Sequence, residues 1–163
     1  MNSRLLLIFG AALVAVAAII AGVFYAERGS HLILEGQVLK VRTAPLDEKN
    51  SVLAADFRCT NGADYVFAVG EVKVILTDEK GSPVEGAIVA EIDARRLFEG
   101  IPLLGPKYND SLLMRDKIPA HASLDRMIAA TFEMPEAQLE KRKGLTIRIR
   151  ELDGLVSEFH ENR

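Results

Sequence analysis

Twenty-two consecutive uncharged residues, LLLIFGAALVAVAAIIAGVFYA from Leu5 to Ala26, constrain this 163-residue chain more than any other feature. A helix of that length spans about 33 Å, which matches the hydrocarbon thickness of a bilayer. Twelve of the residues are Leu, Ile, Val or Phe, and together they favour insertion by on the order of 5 kcal/mol with no charge to oppose them. The expectation is one amino-terminal transmembrane helix, with residues 1–28 as the anchor, residues 5–26 in the lipid bilayer and residues 29–163 as a separate domain. The competing reading is a cleaved signal peptide, whose apolar region is shorter and ends at a small-x-small site. Here Ala15-Val16-Ala17 falls inside the run rather than after it. A lipoprotein is excluded, because the only cysteine, Cys59, lies far from the run.

Charge then narrows location and partners. Arg4 and the terminal amine precede the run, while Glu27 and Arg28 cancel after it. The positive-inside rule therefore places the domain on the outer side of the cytoplasmic membrane. Residues 27–163 hold 19 basic and 23 acidic side chains, 19 − 23 = −4 in net charge. Nucleic acid is disfavoured as a partner, since no basic stripe exists to neutralise phosphates. A single cysteine also allows no intrachain disulfide.

Beyond the anchor the chain alternates extended runs with turn clusters, the pattern of an all-β protein. Strands are expected at Leu32 to Thr43, at Val52 to Thr60, through Val72, Val74 and Leu76, at Val84 to Ile92, at Ser123 to Met134, through Leu145, Ile147 and Ile149, and at Leu155 to Phe159. In the second, Leu53, Ala55, Phe57 and Cys59 face one way and Asp56 and Arg58 the other. Asp93 is expected to cap a helix of one or two turns that Gly100 ends, and Pro135 to open a second short helix with Lys141, Arg142 and Lys143 at its end. About seven strands in roughly 130 residues point to an immunoglobulin-like or fibronectin-III-like sandwich, without the Cys and Trp core of antibody domains. The phrases LDEKNS (Leu46 to Ser51) and TDEKGS (Thr77 to Ser82) echo each other and read as two similar turns.

Between the second and third strands stands Asn61-Gly62-Ala63-Asp64, followed by Tyr65 and Phe67; later come Asp78 to Gly81 and Ile118-Pro119-Ala120. This order resembles the late-embryogenesis-abundant and water-stress/hypersensitive-response β-sandwich family over about Leu34 to Glu133. Asn61 matches that family's Asn, Gly62 stands where it usually has Pro, and Ile118-Pro119 precedes the returning strand. The resemblance implies a sandwich with a stress-protective or lipid-binding role and names no functional residue. Read from the residues themselves, Asn61 and Gly62 tolerate positive φ and so can turn a corner between strands.

No catalytic, cofactor or metal motif emerges. His31, His121 and His160 stand at no ligand spacing from Cys59 or from each other. A nucleophile arrangement would need Ser123 with His121 and Asp125, and no nucleophile elbow surrounds Ser123. The pairs Asp47-Glu48 and Asp78-Glu79 lack the spacing of a calcium loop. What stands out is LFEGIPLLGPKYND (Leu97 to Asp110), a loop too rich in Pro and Gly for helix or strand yet loaded with apolar residues. Leu97, Phe98, Ile101, Leu103, Leu104 and Tyr108 either cap the sandwich or present an adhesive patch. The expected function is a non-catalytic, membrane-anchored binding or scaffolding module, an accessory subunit that meets another membrane protein. A sandwich for lipid or another apolar ligand is the alternative.

Overall fold

The computed structural model describes residues 12–22 and 33–161. The chain divides between Leu32 and Ile33 into two units. In the first, residues 12–22 are helical (α1) with exposed side chains. The remainder of the expected span over residues 5–26, and His31, lie outside the described residues. Among the described residues no helix is long and apolar enough to cross a membrane.

The second unit is all-β. Its strands are β1 (Glu35–Pro45), β2 (Ser51–Thr60), β3 (Phe67–Thr77), β4 (Pro83–Ile88), β5 (Lys117–Ile118), β6 (Ser123–Phe132), β7 (Gly144–Glu151) and β8 (Val156–His160), with helices α2 (Glu91–Gly100) and α3 (Glu136–Glu140) between them. All pairings between the strands are antiparallel, in the spatial order β1-β2-β6-β4-β3-β7-β8, with the two-residue β5 on β3. β4 pairs with β3 through Pro83 to Gly86 and with β6 through Ala87 and Ile88, so it carries the sheet from one half to the other. At the far ends β1 comes back towards β8, where the Leu34 N–H donates to Ser157 Oγ at 2.9 Å. The sheet thus curls nearly into a barrel, which leaves few edge groups unsatisfied.

Period-two alternation builds the core. Leu53, Ala55, Phe57 and Cys59 of β2, Val72, Val74 and Leu76 of β3, Ile128, Ala130 and Phe132 of β6 and Leu145, Ile147 and Ile149 of β7 all point inward, as their spacing predicts. Phe57, Phe67 and Phe159 fill its middle and are almost fully buried. Each such side chain contributes about 1.5–3 kcal/mol by leaving water. The two echoing turns are built alike: Asp47 Oδ1 accepts the Lys49 and Asn50 amides, and Asp78 Oδ1 accepts the Lys80 and Ser82 amides. These carboxylates close hairpins.

Several expectations are corrected. β4 stops at Ile88, four residues early, because Glu91 already begins α2; Ala90, not Asp93, is its N-cap, and Asp93 instead pairs with Arg96 at 3.2 Å. α3 ends at Glu140, so Lys141, Arg142 and Lys143 follow the helix rather than complete it. The Arg142 guanidinium turns to the Glu161 carboxylate, at 2.6 Å. At the corner after β2, neither Asn61 nor Gly62 adopts positive φ. There the buried Asn61 amide donates to the carbonyls of Tyr65, Ile118 and Pro119 at 2.8, 3.1 and 3.2 Å, and its Oδ1 accepts the Ala63 N–H. The interruption in the apolar run is a hydrogen-bonded corner, and it joins the Asn61 and Ile118-Pro119 stretches directly.

Two glycines sit where the sheet closes. A Cβ on Gly36 would lie 2.5 Å from the Arg58 carbonyl oxygen and 2.7 Å from the Phe159 ring, and one on Gly86 would lie 2.6 Å from the Phe132 ring. At Gly62, by contrast, nothing lies within 4 Å of the added atom. Gly36→Val is therefore expected to lower unfolding free energy by about 1–3 kcal/mol or more through overpacking, and Gly62→Ala to leave it nearly unchanged. Urea denaturation of the two variants checks this; equal stabilities would contradict the closure at Gly36.

Candidate functional site

The apolar loop lies on the outer face of β1, β2 and β6. On that face Ala44, Val52, Ala54, Met127 and Ala129 form a shallow floor of small and flexible side chains. α2 lays Ala94 and Phe98 on it, with Leu97 half-buried beside them. Ile101 follows, half-buried, and a 3-10 turn, Pro102–Leu104, drops Leu104 onto the floor, where it is fully buried. The loop therefore caps a second small core outside the barrel. Of the six residues singled out from sequence, Leu104 and Phe98 are spent on this packing, and Leu97 and Ile101 partly so. Leu103 and Tyr108 remain 71% and 65% exposed.

A buried ion pair, which no residue pattern marks, pins the loop. Arg42 of β1 and Asp56 of β2 point out of the sheet beneath it, and the segment covers both, leaving them 9% and 4% exposed. Arg42 Nη2 donates to Asp56 Oδ2 at 2.6 Å, and its Nη1 donates to the carbonyls of Leu104 and Pro106, each at 2.7 Å. Asn109 Nδ2 donates to the other Asp56 oxygen at 2.9 Å. The guanidinium carbon stands 4.8 Å from the Phe98 ring centre and 5.7 Å from that of Tyr108, with Lys40 Nζ also 5.7 Å from Tyr108. Such contacts favour a cation that has lost its water. Among the described residues Arg42 Nε has no hydrogen-bond partner. Asp56 points away from the barrel core, as its spacing predicts, but the loop covers it, so its charge needs Arg42.

A second carboxylate anchors the start of α2 to the far end of the loop. Glu91 Oε1 lies 3.0 Å from Lys107 Nζ and 2.9 Å from Arg95 Nε, and Glu91 Oε2 accepts the Ser111 N–H at 3.1 Å. Burial works against its charge, but the hydrogen bonds from Ser111, Arg95 and Lys107 outweigh it and hold the carboxyl down at about 2, from an ordinary 4.5.

The residues of the nucleophile reading are engaged elsewhere. His121 Nε2 meets Asp64 Oδ1 at 2.9 Å, Ser123 Oγ meets Thr60 Oγ1 at 2.9 Å, and Asp125 makes a two-pronged pair with Arg58 at 2.7 and 2.9 Å. The Arg58 guanidinium beside Asp125 holds that carboxyl below its usual range. Cys59 faces the core, where burial pushes its thiol up to about 11. Such a thiol carries almost no thiolate at neutral pH. Among the described residues no group of three or more His, Cys, Asp or Glu is placed to hold a metal ion. Cross-strand ion pairs join Lys73 of β3 to Glu85 of β4, Arg148 of β7 to Glu158 of β8 and Arg150 of β7 to Glu71 of β3. One depression of about 360 Å³ that the sequence did not signal lies where Gly70 bulges, between the exposed Met114 and Leu152.

The chain matches no protein-family model and no curated protein.

The Glu91 anchor carries a pH dependence whose sign follows from its lowered value. A carboxyl depressed in the folded state adds stability that is fully present above its unfolded value near 4.5 and is lost as pH falls towards about 2. Glu91→Gln should therefore lower stability above about pH 5, where the contribution is fully present, and flatten the acid limb, so that the two proteins converge as pH falls towards about 2. Thermal melts from pH 2 to 7 check it; parallel acid limbs in both proteins would contradict it.

Proposed function

We propose that this chain is a non-catalytic binding module that meets a partner protein through Leu103 and Tyr108, held on a rigid strap. The observation that carries the reading is that two large apolar side chains stand in solvent on a loop whose own backbone is fixed by a buried charge. A rigid aromatic and aliphatic pair presented this way costs little side-chain entropy on binding, which is how interface anchors work. The uncharged run Leu5 to Ala26 supports a membrane anchor and so a partner in or at the same membrane. The charge balance around that run favours the outer side of the cytoplasmic membrane. An accessory subunit of a membrane complex fits these features together.

The strand order supports a finer fold assignment as part of the same proposal. β1, β2 and β6 stand together, as do β3, β7 and β8. Those sets have the sequence positions of strands A, B, E and C, F, G in an immunoglobulin-like or fibronectin-type sandwich. Such sandwiches serve widely as interaction modules, and the analogy concerns architecture alone.

The second reading, a stress-protective or lipid-binding member of the late-embryogenesis-abundant and water-stress family, is favoured by one contact. Asn61 and the Ile118-Pro119 stretch, which carry the resemblance, are hydrogen-bonded to each other. Against a ligand inside the barrel stands a core already occupied by Phe57, Phe67 and Phe159.

Mild-detergent extraction of the full-length protein from its native membrane, with size analysis and mass spectrometry, tests the first reading. A stoichiometric assembly is expected, and Leu103→Asp with Tyr108→Ala should dissolve it by at least about tenfold in affinity while leaving the melt unchanged. A lone protein under the same extraction would shift the weight to the ligand-binding alternative.

A further inference from the structure

We propose that residues 102–109 form a latched lid, which opens as a unit while the β-sheet stays folded, and that the Arg42–Asp56 pair is its latch. The lid is the segment that presents Leu103 and Tyr108, and the docking reading concerns its closed state. What supports the latch is how the segment is attached. The Leu104 and Gly105 amides donate within the segment, to Ile101 and Pro102. Backbone pairing with the sheet resumes only at Asp110, whose carbonyl accepts the Met127 N–H at 3.0 Å. Between those points the hydrogen bonds to the rest of the fold run through side chains: Arg42 to the Leu104 and Pro106 carbonyls, Asn109 to Asp56, and Lys107 to Glu91. Leu104 is the one residue of the segment that is buried.

Elements with few buried apolar contacts and little backbone pairing open at lower free energy than the whole fold. Gly105 adopts φ 64° and ψ −164°, a region that only glycine enters freely, between Pro102 and Pro106. Opening exposes Asp56 and the guanidinium of Arg42 to water, including the Nε that has no partner while the lid is shut. That hydration offsets part of what is lost when Leu104 leaves the alanine floor, so a charged latch opens more readily than an apolar lid of the same size. What opening uncovers is the part of the Ala44, Val52, Ala54, Met127 and Ala129 floor on which Leu104 rests, while Ala94 and Phe98 of α2 stay on the remainder.

Amide hydrogen exchange on the full-length protein in detergent tests this. The Leu104 and Gly105 amides should exchange at least about a hundredfold faster than those of Leu53 and Val74 and respond weakly to sub-denaturing urea. Asp56→Asn and, separately, Asn109→Ala should accelerate exchange in the segment about tenfold and leave Val74 unchanged. Asn109 is half-buried, so its variant carries the test if Asp56→Asn does not fold. Acceleration confined to the segment in either folded variant supports the latch. Exchange of Leu104 and Gly105 at the rate and urea slope of Val74 would overturn it, as would indifference to both substitutions.

Discussion

A desolvated ion pair organises the strap that covers the outer face of β1 and β2. Arg42 and Asp56 stand on the outer face of β1 and β2, where a strand normally meets water, and the α2 strap covers them. Two charges taken out of water are tolerated only when their geometry is good and their remaining donors and acceptors are met. The strap meets most of them with its own carbonyls and with Asn109. Dependence therefore runs both ways: the pair needs the strap to complete its hydrogen bonds, and the strap needs the pair to hold a backbone that lacks a sheet partner. The exposure of Leu103 and Tyr108 follows from this, since the strap is pinned from beneath and offers its upper side to solvent.

The barrel itself follows from a more ordinary constraint. Strands β3 and β7 alternate between buried and wetter positions, which decides the side of each that faces inward, while β2 and β6 are apolar on both faces where the loop covers them. Where the sheet must close, bulk is removed instead of added: Gly36 admits Phe159 at one seam and Gly86 admits Phe132 at the other. The asparagine corner does comparable work between β2 and β3. One buried amide meets three carbonyls there, which no apolar residue and no glycine could do.

How far the sequence disclosed this depended on whether the signal was periodic. Leu53 to Cys59 and Leu145 to Ile149 were legible because a period of two admits one reading. The extent of α2 was not, since Ala90 and Glu91 continue an apolar strand pattern until a backbone turn that no residue type marks. Burial of Asp56 was hidden for a different reason: a carboxylate on the outer face of a strand looks solvated until something covers it. A clue was present in Val52 and Ala54, which are apolar on that same outer face and so imply a cover. Of the loop residues, the sequence pattern could not separate buried Phe98 and Leu104 from exposed Leu103 and Tyr108, because the face of α2 and the 3-10 turn at Pro102–Leu104 decide which side chains reach the sheet. Arg42 was not distinguishable from any other strand arginine, since its partners come from positions 14 and 62 to 64 residues away.

A double-mutant cycle on Arg42→Met and Asp56→Leu, followed by equilibrium unfolding, tests the central claim most directly. Each single change strands a buried charge and should cost about 3–5 kcal/mol, while the double change should cost much less than their sum. Additive effects, or single changes within about 0.5 kcal/mol of the parent, would mean that the pair is not the buried interaction on which the strap depends.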